Sequence, residues 1–256
     1  MKRWLQDVIG LSRKAGTDTL MPKMRPDDPF YAIGDIHGST SLLTSILEQI
    51  DRAKQVNGPV VFMGDYVDRG EDTAGTLAQL YTLSRDRSRP TVFLRGNHEQ
   101  MLLDFLDAPE MTGEFWLNSG GRHSLASYGL LAMRSEMKSK ELTELRDKLR
   151  IKLGKNIEEW LRRLPVSWQS GNIFLSHAGA DPTCGLDAQT NDRLLWGPGT
   201  SPSAARSDGI WTVQGHVIVE RPTVEEGQVF IDTGAYATRK LTAARFDTEG
   251  VTFLST

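Results

Sequence analysis

The chain has 256 residues, with 30 Lys and Arg against 33 Asp and Glu for a formal net charge of −3; such a length suits one large α/β domain and is too great for a disulfide mini-protein. At 39% hydrophobic and 25% charged residues the composition is globular rather than disordered, and the near balance of charge argues against a chain that coats nucleic acid or an anionic membrane. No apolar run approaches the roughly 18 residues of a membrane span, Gln6 and Asp7 break any signal-peptide pattern, and the single cysteine, Cys184, fits a reducing cytoplasm.

Residues 1–29 read as a polar, basic extension outside the core, broken by Pro22, Pro26 and Pro29, with one short helix expected over Lys2–Leu11. Residues 30–256 read as the domain proper. Phe30–Gly34 is an apolar strand, and Ser39–Arg52 places Leu42, Leu43, Ile46, Leu47 and Ile50 on one helical face. A strand at Val60–Gly64, a helix near Thr73–Leu83, a strand at Thr91–Gly96 and a helix over Glu99–Leu106 continue the alternation. This predicts parallel pairing in an α/β core. From about 115 to 164 no strand is expected, and Met137–Leu153 and Asn156–Leu164 mark a helical insert. After Pro165 the pattern turns to short strands at Asn172–His177, Ile210–Gly215, Val229–Asp232, Leu241–Phe246 and Val251–Leu254. No flexible linker divides these parts, so one mixed domain is expected.

The loops that follow these strands share one design. The first strand runs into Gly34-Asp35-Ile36-His37-Gly38, the second into Gly64-Asp65-Tyr66-Val67-Asp68-Arg69-Gly70, and the third into Gly96-Asn97-His98-Glu99. The second half adds His177-Ala178-Gly179 and Gly215-His216, so all the histidines but His123 sit at strand ends. Ligands gather at the carboxyl ends of parallel strands, which would bring these loops together. Asp35, His37, Asp65, Asn97, His177 and His216 offer carboxylate, amide and imidazole donors without a thiolate. That mixture suits Mn, Fe, Zn or Co rather than a structural cysteine-rich zinc site. Any one Asp beside Gly reads equally well as a turn or cap. The ordered set does not, because independent turns have no reason to concentrate the scarce histidines.

With these motifs the chain resembles the phosphoprotein phosphatase branch of the calcineurin-like metallophosphoesterases, whose signatures Gly-Asp-x-His-Gly, Gly-Asp-x-Val-Asp-Arg-Gly and Gly-Asn-His-Glu stand intact at 34–38, 64–70 and 96–99. The stretch Trp116–Gly121 and the Asp-Thr-Gly at 232–234 are similar to those of compact bacterial and phage members. The resemblance covers roughly residues 30–246. It implies a central β-sandwich of mixed sheets flanked by helices, and two divalent metal ions, manganese first among the candidates. Asp35 and His37 would hold the first ion, Asp65 would bridge, and Asn97, His177 and His216 would hold the second. His98 matches the family's general acid, Asp68 the carboxylate that orients it, and Arg69 an arginine that grips phosphate. The implied reaction is direct attack on phosphorus by a hydroxide bridging the two ions. A second phosphate-gripping arginine is expected shortly after Leu194-Leu195-Trp196, but Gly197-Pro198-Gly199 follows instead. Arg206 or Arg193 is the candidate to replace it.

The implied substrate is phosphoserine or phosphothreonine in a protein or peptide, with no nucleic-acid or membrane partner. Hydrolysis of dinucleoside polyphosphates or related nucleotides is the alternative on the same scaffold, and a non-catalytic phosphate-binding module a more distant one. Asp68 and Glu99 lean toward the phosphoprotein branch, since the nucleotide-hydrolysing relatives tend to lack the former and to carry Asp at the latter. His123 is expected to be structural or substrate-side rather than a ligand. Cys184 has no Cys-x5-Arg loop around it, which excludes a cysteine phosphatase.

Overall fold

In β1 (Phe30–Ile33) every side chain is buried: Phe30 and Ala32 face one way, Tyr31 and Ile33 the other. A strand buried on both faces reads as a continuous apolar run and needs a packed layer on each side. The computed structural model describes residues 21–53, 56–132, 137–197 and 206–256 and supplies both layers. The expected helix over Lys2–Leu11 lies outside the described residues.

The first half alternates as the sequence predicts: α1 (Thr40–Arg52), β2 (Val60–Phe62), α2 (Thr73–Arg85), β3 (Thr91–Phe93) and α3 (Asn97–Asp107) follow β1. The helical stretch continues through α4 (Pro109–Trp116), a π-helical turn at Leu117–Gly121, α5 (Arg122–Ser127), α6 (Ser139–Leu153) and α7 (Lys155–Arg162). The second half runs β4 (Ser167–Ser170), β5 (Ile173–Ser176), α8 (Asn191–Trp196), β6 (Trp211–Gln214), β7 (Thr223–Glu225), β8 (Gln228–Phe230), α9 (Ala235–Thr238), β9 (Thr242–Asp247) and β10 (Gly250–Ser255).

Two mixed five-stranded sheets result, in the orders β10-β9-β1-β2-β3 and β4-β5-β6-β8-β7. In the first, β1, β2 and β3 are parallel, with Tyr31 opposite Val60 and Val60 opposite Thr91, while β9 runs antiparallel to β1. In the second, β5, β6 and β8 are parallel. Phe30, Ala32, Val61 and Met63 of the first sheet share an apolar core with Leu175, Val213 and Val229 of the second. On the outer face of the first sheet Tyr31, Ile33 and Phe62 meet Leu43, Ile46, Leu77 and Phe105 from the helices. Leu43, Ile46, Leu47 and Ile50 of α1 recur at helical spacing and are all buried. Each such side chain contributes about 1.5–3 kcal/mol through burial.

Three departures from the sequence reading have local causes. β4 and β7 carry no strand signal, because Ser167–Ser170 holds one large apolar residue and Thr223–Glu225 is an exposed edge. Residues 21–29, expected in an extension outside the core, instead lie against the second sheet. Met24 is buried there, Arg25 N–H donates to Asn172 Oδ1 at 2.7 Å, and Trp211 Nε1 donates to the Pro22 carbonyl at 2.7 Å. The helical insert is also divided: α4, the π turn and α5 border the strand-end loops, whereas α6 and α7 pack behind them through Leu142, Leu145, Leu149 and Leu161. Among the described residues no helix is long and apolar enough to cross a membrane.

Candidate active site

Backbone hydrogen bonds lace the strand-end loops together before any side chain is considered. Ile36 N–H and His37 N–H both donate to the Asp65 carbonyl, at 3.1 and 2.8 Å, and Gly38 N–H donates to the Tyr66 carbonyl at 2.9 Å. Glu99 ties the second loop to the third. Its buried carboxylate accepts from the N–H groups of Asp65, Tyr66, Val67 and Gly96 at 2.8, 2.7, 3.2 and 2.9 Å. Burial and then the Asp65 charge push the Glu99 pKa up to about 7. Glycine at position 96 is required by this closeness, since a Cβ there would stand 2.1 Å from Asp65 Oδ1. Gly215 is its counterpart in the second sheet, where a Cβ would stand 2.0 Å from Asp35 Oδ1.

Asp65 is the hub. Its Oδ2 lies 3.4 Å from His37 Nε2 and its Oδ1 lies 3.4 Å from His177 Nε2. His216 Nδ1 approaches His177 Nε2 to 3.1 Å, and Asn97 Oδ1 approaches the same nitrogen to 2.9 Å. Two sets of donors therefore share Asp65, one with His37 and His98 and one with His177 and His216. Asp35 joins them from β1: one carboxylate oxygen accepts the His216 N–H at 3.0 Å, and the other is buried with no hydrogen-bond partner.

This donor set fits divalent cations. His37 Nδ1 faces the Val67 carbonyl at 2.7 Å and His177 Nδ1 faces the Met63 carbonyl at 3.1 Å. A carbonyl only accepts, so each Nδ1 carries the proton and each Nε2 turns a lone pair toward Asp65. Burial, only partly offset by the Asp65 charge, lowers the two pKa values to about 3 and about 4, so both rings are neutral. Asp35 is pushed well above the usual carboxylate range by burial and by the charges of Asp232 and Asp65. Converging lone pairs, an orphaned buried oxygen and crowded carboxylates are what a bound cation would satisfy.

His98 is a different kind of histidine. Its Nδ1 lies 2.8 Å from Asp68 Oδ2, and its Nε2 points into the cluster, 3.9 Å from Asp65 Oδ2. Burial alone would lower its pKa, but Asp65 and the hydrogen bond and charge of Asp68 outweigh burial and raise it. The Asp68 carboxylate adds a negative charge at Nδ1 and so favours imidazolium more strongly than the neutral carbonyls that face His37 and His177, where burial prevails. Asp68 is in turn fixed by Trp116 Nε1 at 3.0 Å and Ser124 Oγ at 2.6 Å. Arg69 is half-buried beside it, with Nη1 3.4 Å from His37 Nε2 and its guanidinium 5.4 Å from the centre of the Tyr236 ring. His37, Asp65, Asp68, Arg69 and His216 all have left-handed backbones, with φ of 44, 51, 69, 64 and 61°. Such conformations are unfavourable for residues other than glycine and cluster where surrounding contacts impose them.

The expected ligands and the residues His98, Asp68 and Arg69 thus converge on one place. The two replacement arginines do not join them. Arg206 is buried, and its guanidinium is taken up by the Asp208 carboxylate and by the carbonyls of Asp181 and Cys184. Arg193 pairs with Asp181. Trp116, Ser124 and Asp232 escape a residue-by-residue reading of the sequence. Trp116 and Asp232 lie within recognised stretches that carry no assigned role, whereas nothing local to Ser124 marks it as a partner of Asp68. Asp232 is buried near Asp35, and burial pushes its pKa up to about 6.

Residues 28–222 match the calcineurin-like phosphoesterase family. Serine/threonine-protein phosphatase 2 of Salmonella typhimurium is 29% identical over 220 residues, which cover 82% of this chain and 89% of that protein. The bis(5'-nucleosyl)-tetraphosphatase PrpE [asymmetrical] of Oceanobacillus iheyensis is 27% identical over 236 residues, covering 84% of this chain and 87% of that one. In three dimensions the chain is similar to the cold-active protein-tyrosine phosphatase of a psychrophilic Shewanella, with a TM-score of 0.55 at 16% identity over 91% of this chain and 83% of that one.

Proposed function

The chain belongs to the calcineurin-like phosphoesterase family, and from that premise we propose that it is a metal-dependent phosphomonoesterase acting on phosphoserine and phosphothreonine in proteins. Asp35, His37 and Asp65 would hold one divalent cation, and Asp65, Asn97, His177 and His216 the other. Cations bound there supply Lewis-acid polarisation and offset phosphate charge. The planar fork of Arg69 binds non-bridging phosphate oxygens. His98 holds a proton at Nε2 and delivers it to the serine or threonine oxygen as the P–O bond breaks, because an alkoxide is a poor leaving group. Asp68 keeps that imidazole protonated and correctly turned, and Trp116 and Ser124 keep Asp68 in place.

The His98–Asp68 contact of 2.8 Å beside the Asp65 cluster carries this reading, since a proton donor held on a carboxylate serves a poor leaving group above all. Asp68 and Glu99 in the signature loops, and the Salmonella relative, support the protein substrate. Dinucleoside polyphosphate hydrolysis is the second reading, favoured by the PrpE relative's comparable identity and coverage. Parallel assays of manganese-loaded protein on a phosphoserine peptide, an aryl phosphate and a dinucleoside tetraphosphate distinguish the two. The protein-phosphatase reading expects kcat/KM on the peptide to exceed that on the dinucleotide. The reverse order would assign the site to nucleotides.

A further inference from the structure

Beside Arg69 a groove of about 450 Å³ opens between the start of α1, the Arg69–Asp72 loop, α5 and the corner around α9. Ser39, Thr40, Arg69, His123, Tyr236 and Arg239 are among its walls. Tyr236 stands at the boundary with the histidine cluster. Its ring meets His37 edge to face at 5.3 Å and lies under the Arg69 guanidinium at 5.4 Å. The same arginine therefore borders both the candidate phosphate site and the groove, so a substrate whose phosphate meets Arg69 can reach the groove with a neighbouring residue.

The groove's charges are available to a ligand. Arg150 and Arg162 are paired with Asp or Glu. Arg69 and Arg239 have no carboxylate partner among the described residues, and neither has His123. Arg239 is exposed and stands with φ 60° just past the end of α9, a backbone position that ordinarily favours glycine or asparagine. Of the two acids lining the groove, Asp72 is engaged internally, accepting from Thr40 Oγ1 at 2.8 Å and from Gly75 N–H at 2.8 Å. Glu71 is exposed and opposes the arginines.

We propose that this groove is a second anion subsite, which selects phosphorylated residues flanked in the peptide by a carboxylate or another phosphate. The proposal rests on the phosphoprotein reading of the adjoining site. Two guanidinium groups recognise carboxylate and phosphate alike through planar, charge-assisted hydrogen bonds, and the Ser39 hydroxyl adds polar wall. Part of the anion selection expected of the absent second arginine is thereby assigned to Arg239.

The test uses the full chain loaded with manganese and phosphoserine peptides that differ only in flanking Glu, phosphoserine, Ala or Lys. The wild type should favour Glu over Ala in kcat/KM by roughly three- to fivefold, the range of a partly exposed ion pair, and the preference should shrink in high salt. A larger preference for flanking phosphoserine than for Glu would identify phosphate as the favoured anion, within the same subsite. Arg239→Asn, which tolerates the left-handed backbone, should bring the Glu-to-Ala ratio near one. Glu71→Gln should raise it. A wild-type ratio near one, or a ratio that Arg239→Asn leaves unchanged, overturns the subsite while leaving the phosphoprotein reading intact. Turnover of a dinucleoside tetraphosphate with none of any phosphopeptide overturns that reading and the subsite with it.

Discussion

Of three buried histidines with the same ring, His98 does different work because the carboxylate against its Nδ1, together with the Asp65 charge, outweighs burial. His37 and His177 face carbonyls and are neutral, with pKa values lowered by burial to about 3 and about 4, whereas His98 faces Asp68 and its pKa is raised. His98→Asn should retain metal while reducing turnover on phosphoserine by roughly 10²–10⁴-fold, the scale of general-acid loss. On an aryl phosphate, whose leaving group is stable without a proton, the loss should be much smaller; leaving-group comparison in the two proteins checks it. The pH profile follows with a definite sign. A raised pKa keeps the imidazolium past the ordinary value of about 6.5, so kcat on phosphoserine should fall on the alkaline side. Asp68→Asn removes a charge that favours imidazolium and should move that fall to lower pH. The histidines are legible in the sequence because there are so few and they sit at strand ends. The hold on Asp68 is not, because Trp116 and Ser124 lie 48 and 56 residues away along the chain.

Parallel strands and their following loops carry most of what can be read at the level of elements. Apolar runs buried on both faces, and an α1 face with Leu43, Ile46, Leu47 and Ile50, are strong patterns. β4 and β7 have no such pattern and owe their place to neighbouring strands. Glu99 reads in the sequence as a family marker, yet four backbone N–H groups from two loops depend on it. Glu99→Ala should therefore cost about 3 kcal/mol or more, the cost of leaving buried hydrogen-bond partners unmet, and should lower metal content. Chemical denaturation and metal analysis read the two effects. The insert should divide functionally as it divides structurally. Substituting His123 on α5 should alter peptide preference, while substituting exposed Ile151 on α6 should not, as a phosphopeptide panel would show.

At the scale of the whole molecule, the candidate ligands come from both sheets: Asp35, Asp65 and Asn97 follow strands of the first, His177 and His216 strands of the second. A cation bound among them would pin the sandwich together, and ligand-linked stability requires the thermal midpoint to rise with manganese concentration. Without metal, Glu99 and Asp232, whose pKa values are raised to about 7 and about 6, favour the folded chain as pH falls, whereas His37 and His177 oppose it. The two histidines' folded pKa values lie below the ordinary value of about 6.5, so an unfolded chain binds more protons at them between there and about 4. The stability they contribute is complete above about pH 6.5 and lost as pH falls; the difference in urea midpoint between chelated wild type and chelated His177→Gln across that window isolates the His177 share. The most direct test of the shared cluster is a manganese titration of chelated protein, with phosphopeptide hydrolysis and bound metal recorded together. Activity should appear as occupancy approaches about two ions per chain, and Asp65→Asn should impair both ions' binding. Full activity in exhaustively chelated protein would contradict the account.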